Sequence, residues 1–317
     1  MRWLLCLLLL GVGCGKRNPG DLLAPAEVGT IVVDAQLIVG QEMPHIRLRL
    51  TQSPAKLYDP DAEALEDAYV EVTTSTGDTI RYVDLAGFSP RRYITEFRFF
   101  GYPGPVVLPN TTYSLRVVAP DGRVVTASTT TPDSFNVREW LLLEDPSLAV
   151  RRSLATYDDF PNFRDSVYYV ESNQLIYQDG LLEARFDRGN ALAFQVGLFS
   201  LDPGSPFVID ADFLDPEDLE DLERETSSPP FEAPDASIRL PWFAIFFEGR
   251  YNIKIYSVDR NWYDLARTLD FFGNSNLGFG GNAGDNFERP IFHVNGGIGL
   301  FGSAAMDEVG FTIHPKP

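Results

Sequence analysis

Apolar and polar residues alternate along much of the chain from Thr30 onward, which is the pattern of half-buried β-strands. In residues 45–50 this alternation puts Ile46, Leu48 and Leu50 on one face of a strand and their polar neighbours on the other. The same pattern recurs at 68–73, 79–83 and 93–99. Short strands separated by turn residues over about 100 residues predict an antiparallel β-sandwich of the immunoglobulin or fibronectin-III type.

A predicted hairpin closes this first region. Strands at 114–118 and 124–130 flank Asp121-Gly122, a dipeptide typical of tight hairpin turns. Just before them, residues 108–117 resemble the tyrosine-corner stretch of fibronectin-type-III and related sandwiches, with Tyr113 as the tyrosine. In that motif the tyrosine hydroxyl bonds back to a nearby turn. The alternative is that Tyr113 is one inward-facing aromatic residue among many.

The second part of the chain begins after a predicted boundary at Pro132, within the run of residues 129–133. Further strands are predicted at 166–171, 181–187, 192–200, 238–247, 251–258 and 309–313. Asp215-Pro216 begins like a short helix, and Trp262, Leu265 and Leu269 form the apolar stripe of another. The chain is therefore predicted to be all-β. A sandwich domain at 29–132 precedes a larger antiparallel β domain at 133–317 with short helical insertions.

The start of the chain has the layout of a secretory signal peptide, with basic Arg2 followed by an apolar run over 3–12. Residues 10–14 resemble the lipobox of bacterial lipoproteins, although Gly11 stands where that motif usually has leucine. The resemblance implies cleavage before Cys14 and acylation of that cysteine. Residues 1–13 are then a signal peptide and 14–28 a lipidated tether. An ordinary signal peptide with an incidental cysteine is the alternative.

Cysteine content and charge agree with a lipid anchor. Only Cys6 and Cys14 are present, and the first would leave with the signal, so no intramolecular disulfide is expected. With 45 acidic and 26 basic residues the net charge is −19, which repels nucleic acid and anionic head groups alike. Attachment of the protein to a membrane would therefore depend on the acyl chains. No run of acids follows Cys14, so the periplasmic and surface faces both stay open.

Several segments together resemble one family. They are residues 31–35, the strand at 67–72, Tyr113 with Asp121-Gly122, and the glycine-rich run 295–302. They are similar to the domain-of-unknown-function 4249 family of bacterial outer-membrane lipoproteins. The resemblance implies an exported lipoprotein, often encoded near TonB-dependent outer-membrane transporters. Such a transporter or another envelope protein is therefore the expected partner, and no catalytic role is carried over.

The glycine run also fits a nucleotide-binding string. Residues 297–302 match G-x-G-x-x-G, but a dinucleotide site needs that string at the start of a helix within a βαβ unit. The residues from 303 to 317 are too few to form the helix and the second strand of that unit. We therefore interpret these glycines as a tight bend or bulge in a sheet, and no cofactor is expected.

An acidic insertion is the candidate partner or ligand surface. Its carboxylates at Asp210, Asp212, Asp215, Glu217 and Asp218 offer oxygen ligands for calcium, but the glycine of an EF-hand loop is missing. A solvated acidic surface is therefore favoured, and no metal is expected. The Gly- and Asn-rich segment 273–284 is predicted to be a surface loop that is suited to recognition.

No catalytic constellation emerges from the sequence. The three histidines, His45, His293 and His314, are scattered, and the run around Ser303 lacks the second glycine of a nucleophile elbow. The leading hypothesis is a non-enzymatic binding or accessory module. One alternative is a glycan- or peptide-binding adhesion module, whose platform would use aromatic residues that otherwise belong to the core: Trp242, Trp262, Tyr263 and Phe279. The other is a hydrolase with two carboxylates about 5–9 Å apart.

Overall fold

The computed structural model describes residues 28–53, 56–57, 59, 61–209, 224–268 and 290–317. Its strands are β1 (Ile31–Ile38), β2 (Arg47–Leu50), β3 (Tyr69–Thr74), β4 (Thr79–Asp84), β5 (Tyr93–Thr95), β6 (Thr112–Val118), β7 (Val124–Thr130), β8 (Val137–Leu143), β9 (Val150–Ser153), β10 (Gln174–Ile176), β11 (Leu181–Phe186), β12 (Ala193–Ser200), β13 (Glu225–Ser227), β14 (Ser237–Leu240), β15 (Gly249–Val258), β16 (Val294–Asn295) and β17 (Ile298–His314). Two α-helices, α1 (Glu96–Phe99) and α2 (Arg260–Thr268), and four short 3-10 helices complete the described elements.

The strands form three sheets. A seven-stranded sheet has the order β13-β12-β15-β17-β1-β2, with β10 also paired to β17. A six-stranded sheet has the order β16-β7-β6-β3-β4-β5, and a four-stranded sheet has the order β14-β11-β8-β9. The all-β prediction is confirmed.

The first core lies between the six-stranded sheet and the β1–β2 end of the seven-stranded sheet. Strand β1 buries every second residue, and Ile46 and Leu48 next to it are fully buried, as their alternation predicts. Strands β3, β4, β6 and β7 supply the opposite wall, and the hairpin of β6 and β7 turns at Gly122 with φ +87°. Local alternation therefore predicts this half of the fold well.

The second core lies between the four-stranded sheet and the β12–β15 end of the seven-stranded sheet. Trp140 on β8, Phe186 on β11 and Phe194 on β12 are its largest fully buried side chains on those strands. The rings of Phe186 and Phe194 lie 4.6 Å apart and join the two layers. This core belongs to the region for which a larger antiparallel domain was predicted.

One long strand belongs to both sandwiches. The first part of β17 pairs in parallel with β1, from Ile298 opposite Val32 to Ala304 opposite Ile38. Its later part pairs antiparallel with β15, up to Ile313 opposite Gly249. Phe301 of β17 therefore packs in the first core, together with Val294 of β16. The boundary placed after Pro132 stays a prediction, but residues from both sides of it build the first core.

The glycine run at 297–302 lies within and just before β17, where it contacts β1. Gly299 has φ +107°, and a Cβ on it would lie 2.1 Å from the carbonyl oxygen of Val33. Only glycine allows this close approach of two backbones. The run thus serves sheet pairing, and it does not begin a helix as a nucleotide-binding motif would.

Three predicted strands are wrong in part or whole. Of 93–99, only Tyr93–Thr95 is strand, because Thr95 caps a helix that begins at Glu96. Residues 166–171 lie in and between two 3-10 helices, Arg164–Tyr168 and Glu171–Asn173, and not in a strand. The strand predicted at 238–247 stops at Leu240 because Pro241 cannot donate a backbone hydrogen bond, and a 3-10 helix follows at Trp242–Ala244.

Several predicted features lie outside the described residues. These are the signal peptide and Cys14, the acidic insertion with Asp210, Asp212, Asp215, Glu217 and Asp218, and the loop at 273–284 that includes Phe279. The second predicted helix is present as α2, in which Leu265 is buried and Trp262 partly so. Its third stripe residue, Leu269, is also outside the described part.

Candidate functional site

Exposed apolar side chains of the first sandwich are concentrated in one short segment, residues 97–108. Six large apolar side chains in it are between 48% and 68% exposed: Phe97, Phe99, Phe100, Tyr102, Val106 and Leu108. We call these six residues the aromatic loop. Single exposed apolar residues are common on proteins, whereas a concentrated set of this kind is a candidate interaction surface.

The backbone of the aromatic loop is held by local hydrogen bonds. Thr95 Oγ1 accepts from the backbone N–H of Arg98 at 3.3 Å and so caps α1. The N–H of Phe100 donates to Glu96 O at 3.0 Å, and that of Tyr102 donates to Phe97 O at 2.8 Å. These bonds close the turn on itself, so the aromatic side chains project from an ordered backbone.

Contacts with the segment after β1 fix the loop to the sandwich. Arg98 Nη1 lies 2.7 Å from Glu42 Oε2, and Met43 N–H donates to Pro105 O at 2.8 Å. Val107 N–H donates to Gln41 O at 2.8 Å, and Val107 O accepts from the N–H of Gly40 at 2.9 Å. A surface that is ordered before binding loses less conformational entropy when a partner docks. The loop therefore has the properties of a preformed contact surface.

The loop lies at the opposite end of β1 from the first described residue. Gly29, next to Val28, donates to Thr51 O at the Ile31 end of β1, whereas the loop contacts residues that follow Ile38. Eight residues of strand separate these ends by about 26 Å at roughly 3.3 Å per residue. Val28, the first described residue, and the aromatic loop thus lie at different ends of the sandwich.

Tyr113 connects the loop to the core. Its side chain is buried, and its hydroxyl accepts a hydrogen bond from the backbone N–H of Leu108 at 2.8 Å. This is the bond of a tyrosine corner, so the interpretation of residues 108–117 is confirmed. The same bond fixes the C-terminal end of the aromatic loop.

The second sandwich contains an apolar cleft of about 360 Å³. It opens between the edge strands β13 and β14 of the two facing sheets. Its walls include aliphatic side chains of β12, β14, β15 and the 3-10 helix after β14: Val196, Leu198, Ile238, Leu240, Ile253 and Ala244. Among its described lining residues there is no carboxylate, so the cleft does not match the two-carboxylate site of a glycosidase.

Three of the four aromatic residues proposed as a platform lie in the described part of the chain, and all three pack elsewhere. Trp242 packs against the second core, and its Nε1 donates to Gly180 O at 2.7 Å. Trp262 donates to Gln195 Oε1 at 2.7 Å and, with Tyr263, packs against a small cluster around Val258. The structure therefore supports their interpretation as packing residues. Two of the exposed aromatic residues, Phe97 and Phe99, lie in the segment 93–99 that the alternation pattern predicted to be a strand.

The three histidines lie on different parts of the described structure. His45 is partly buried, and burial together with the charge of Arg92 lowers its pKa. His293 Nε2 lies 2.9 Å from Asp264 Oδ2, and His314 Nε2 lies 2.7 Å from Gln174 Oε1. Across the described ranges, no group of three or more His, Cys, Asp or Glu side chains is placed to hold a metal ion.

A buried polar cluster links elements of the two sandwiches. Asp259 accepts from Trp262 N–H at 2.9 Å, which caps α2, and it also accepts from the hydroxyl of Thr129 on β7. Thr129 in turn lies 2.8 Å from Ser303 Oγ on β17. Burial raises the pKa of Asp259. The cluster joins the two sandwiches through one cap and two hydroxyls.

Within the described part of the chain, no helix is both long and apolar enough to cross a bilayer. The sequence model of the family described as a domain of unknown function (DUF4249) matches residues 21–308. The chain belongs to this family. No curated protein matches it. The DUF4249 match extends from before β1 into β17, so it includes the aromatic loop, the cleft and the first part of the shared strand.

Sequence reasoning missed the aromatic loop although its signal is present. Residues 97–102 contain four aromatic residues, and Gly101 with Pro103 follows as a turn signal. The alternation pattern placed Phe97 and Phe99 in a strand predicted at 93–99. The cap at Thr95 and the Gly-Pro content after Phe100 were the evidence against that assignment.

Proposed function

We propose that this DUF4249 chain is a cell-envelope lipoprotein, anchored in the outer membrane by lipid on Cys14, that acts as a non-enzymatic binding or accessory module. The observation that carries the binding role is the aromatic loop, an ordered segment with six exposed apolar side chains. The lipobox-like residues before Cys14 support the anchor.

The proposed partner of the loop is another envelope protein. Aromatic residues are enriched at the energetically dominant positions of protein interfaces, and four of them lie within residues 97–102. The segment 96–108 carries one acid and one base in a chain of net charge −19, so it approaches another protein without strong repulsion. The resemblance of the sequence to lipoproteins encoded beside TonB-dependent transporters makes such a transporter the first candidate.

Site-specific photocrosslinking in the native outer membrane tests this proposal. A photoreactive amino acid replaces Phe100 in one version of the chain and Phe163 in another. Phe163 is the matched control, since it is 77% exposed but lies near the second sandwich. We expect a discrete adduct with one β-barrel protein from position 100, none from position 163, and loss of the adduct when Cys14→Ser removes the lipid.

Two results would contradict the proposal. Equal labelling of many proteins from both positions would mean that the loop has no specific partner. An unchanged adduct and an unchanged membrane fraction in Cys14→Ser would argue against the lipid anchor while leaving the loop as a contact surface. The two parts of the proposal are thus tested separately.

A glycan-binding adhesion module is the second candidate, because exposed rings also stack on the apolar faces of sugars. The exposed rings of Phe100 and Tyr102 are the observation that favours it. A glycan array with the purified chain separates the candidates. Specific binding that is lost in a Phe100→Ala, Tyr102→Ala double variant would favour the glycan ligand over a protein partner.

A further inference from the structure

The apolar cleft of the second sandwich is too large to be a packing defect. Protein interiors are packed about as densely as organic crystals and hold few voids larger than a water molecule, whose share of liquid volume is about 30 Å³. The cleft measures about 360 Å³. Its position also differs from that of a core void, since it lies at the edge where β13 and β14 end their sheets.

The walls of the cleft are aliphatic. Leu198 and Ile253 come from one sheet, Ile238 and Leu240 come from the other, and all four are buried. Ala244, also buried, lies beside them, and Phe231 is the aromatic residue among the described lining residues. Branched aliphatic walls offer no flat stacking face, so they suit a flexible hydrocarbon chain better than a planar ring system.

One rim of the cleft is polar. Thr226 and Ser227 of β13 and the following Ser228 all contribute to its lining. Ser228 is held in place, because its Oγ accepts from Val196 N–H at 3.0 Å and its own N–H donates to Val196 O at 2.8 Å. Hydroxyl groups at the edge of an apolar site fix the orientation of an amphipathic ligand. The cleft thus has an apolar interior and a hydroxylated edge.

We infer that this cleft binds the hydrocarbon chain of a single-chain amphiphile of the fatty-acid class, with its polar head at the β13 rim. The volume argues for one chain, because ligand pockets range from about 300 to 1,000 Å³ and this cleft is near the lower limit. This inference is independent of the aromatic loop, which belongs to the first sandwich.

A fluorescence titration with cis-parinaric acid, a single-chain fatty acid whose conjugated double bonds fluoresce, tests the inference. All versions carry Cys14→Ser in the full chain, so that a covalent acyl group cannot compete with the probe. Ala244→Trp places a large side chain in the cleft and is expected to weaken probe binding at least tenfold. Ala62→Trp is the matched control, since Ala62 is exposed on the first sandwich, and it should bind the probe as the parent chain does.

A second variant and a competitor series keep the result interpretable. Val196→Phe fills the cleft from β12, so it tests the same site if Ala244→Trp fails to fold, which circular dichroism would show. Among saturated fatty acids shorter than the probe, each added methylene group should improve competition about fourfold, as expected from the burial of one such group. A two-chain phospholipid should compete poorly.

Unchanged probe affinity in both folded cleft variants would overturn the inference, as would competition that does not depend on chain length. Better competition by the two-chain lipid would overturn the single-chain assignment. Because the titration needs neither a membrane nor a partner protein, its failure leaves the photocrosslinking result for the aromatic loop unaffected.

Discussion

At the scale of single residues, an ion pair between Arg250 and Asp202 stabilises the start of β15. Arg250 places Nη2 2.6 Å and Nε 2.9 Å from Asp202 Oδ1, and its backbone N–H donates to Asp202 Oδ2 at 2.7 Å. The hydrogen bonds from Arg250 hold the pKa of Asp202 below its usual value. Gly249, at φ +97°, lets the carboxylate approach, since a Cβ there would lie 2.5 Å from Asp202 Oδ2.

The lowered pKa of Asp202 predicts a pH-dependent effect of Asp202→Asn. We expect the variant to lose about 1 kcal/mol of the free energy of unfolding at pH 7, a modest value because the pair is about one-third exposed. A carboxyl with a lowered native pKa stabilises the fold above its unfolded pKa of about 3.9 and loses that effect as pH falls through its native pKa. The difference from wild type should therefore shrink below about pH 4.

Urea unfolding between pH 7 and pH 2.5 measures this difference. Asp187→Asn is the control, since Asp187 is 76% exposed and pairs with Arg138 at 3.4 Å. The control should change stability little at any pH. A constant difference for Asp202→Asn across the whole range would show that the ionised form of Asp202 is not what stabilises this site.

The tyrosine corner gives a second residue-scale prediction. Tyr113→Phe keeps the buried ring but leaves the N–H of Leu108 without its acceptor, which should lower the free energy of unfolding by about 1–2 kcal/mol. Tyr69→Phe is the control, because the Tyr69 hydroxyl bonds Glu71 on an exposed face. Chemical denaturation compares the two, and an equal loss in both would mean that the corner bond has no special weight.

At the scale of elements, local alternation predicts strands wherever one face is buried. Strand β1 and the hairpin of β6 and β7 follow this rule, because a few consecutive residues are enough to show that every second side chain is buried. It fails at Glu96–Phe99, where the cap at Thr95 starts a helix and the apolar residues point to solvent. The aromatic loop was missed for the same reason, because the alternation rule assumes that apolar side chains are buried and those of the loop are exposed.

Long-range pairing is the second feature that local patterns do not contain. Strand β1 pairs with β17, whose residues come more than 250 positions later in the chain. Strand β1 buries every second residue, whereas β17 buries longer runs such as 301–305, so neither local pattern specifies the other strand as its partner. The glycine run at 297–302 was correctly attributed to a sheet, but its partner strand became known only from the register.

Gly299→Ala tests how tightly this pairing is determined. A Cβ at Gly299 meets the carbonyl oxygen of Val33, so the two strands would have to separate, and we expect a loss of more than 2 kcal/mol. Gly122→Ala is the control, since Gly122 also has positive φ, at +87°, but a Cβ there meets nothing within 4 Å. Its expected loss is about 1 kcal/mol from backbone strain alone.

Thermal or urea unfolding measures the loss of stability in Gly299→Ala and in Gly122→Ala. If Gly122→Ala proved as destabilising as Gly299→Ala, the positive φ would account for the whole effect and close packing of β17 on β1 would not. A markedly larger loss for Gly299→Ala would show that strand contact is what requires glycine at this position.

At the scale of the whole molecule, β17 makes the two sandwiches share one sheet. Its first part contributes Phe301 to the first core, and its later part contributes Val309, Phe311 and Ile313 to the second. The cluster of Asp259, Thr129 and Ser303 adds a buried polar link at the same junction. Because β17 belongs to both cores, unfolding of one core removes packing from the other. We therefore expect the described sandwiches to unfold together.

Leu48→Ala tests this cooperativity. Leu48 is buried in the first core on β2, at the far edge of the shared sheet, and its truncation should cost about 2–5 kcal/mol. Of the four tryptophans, Trp140 is buried in the second core and Trp242 packs against it, Trp262 lies at the junction, and Trp3 is in the predicted signal peptide. Tryptophan fluorescence therefore reports mainly on the second sandwich.

If the sandwiches unfold together, the fluorescence transition of Leu48→Ala shifts by the same amount as the circular dichroism transition, although the substitution lies in the other core. Leu57→Ala, at a side chain that is 94% exposed, should leave both transitions in place. If fluorescence kept the wild-type midpoint while circular dichroism gained an earlier phase, the sandwiches would be separate folding units. The shared strand would then be a docking contact between them, formed after each core has folded.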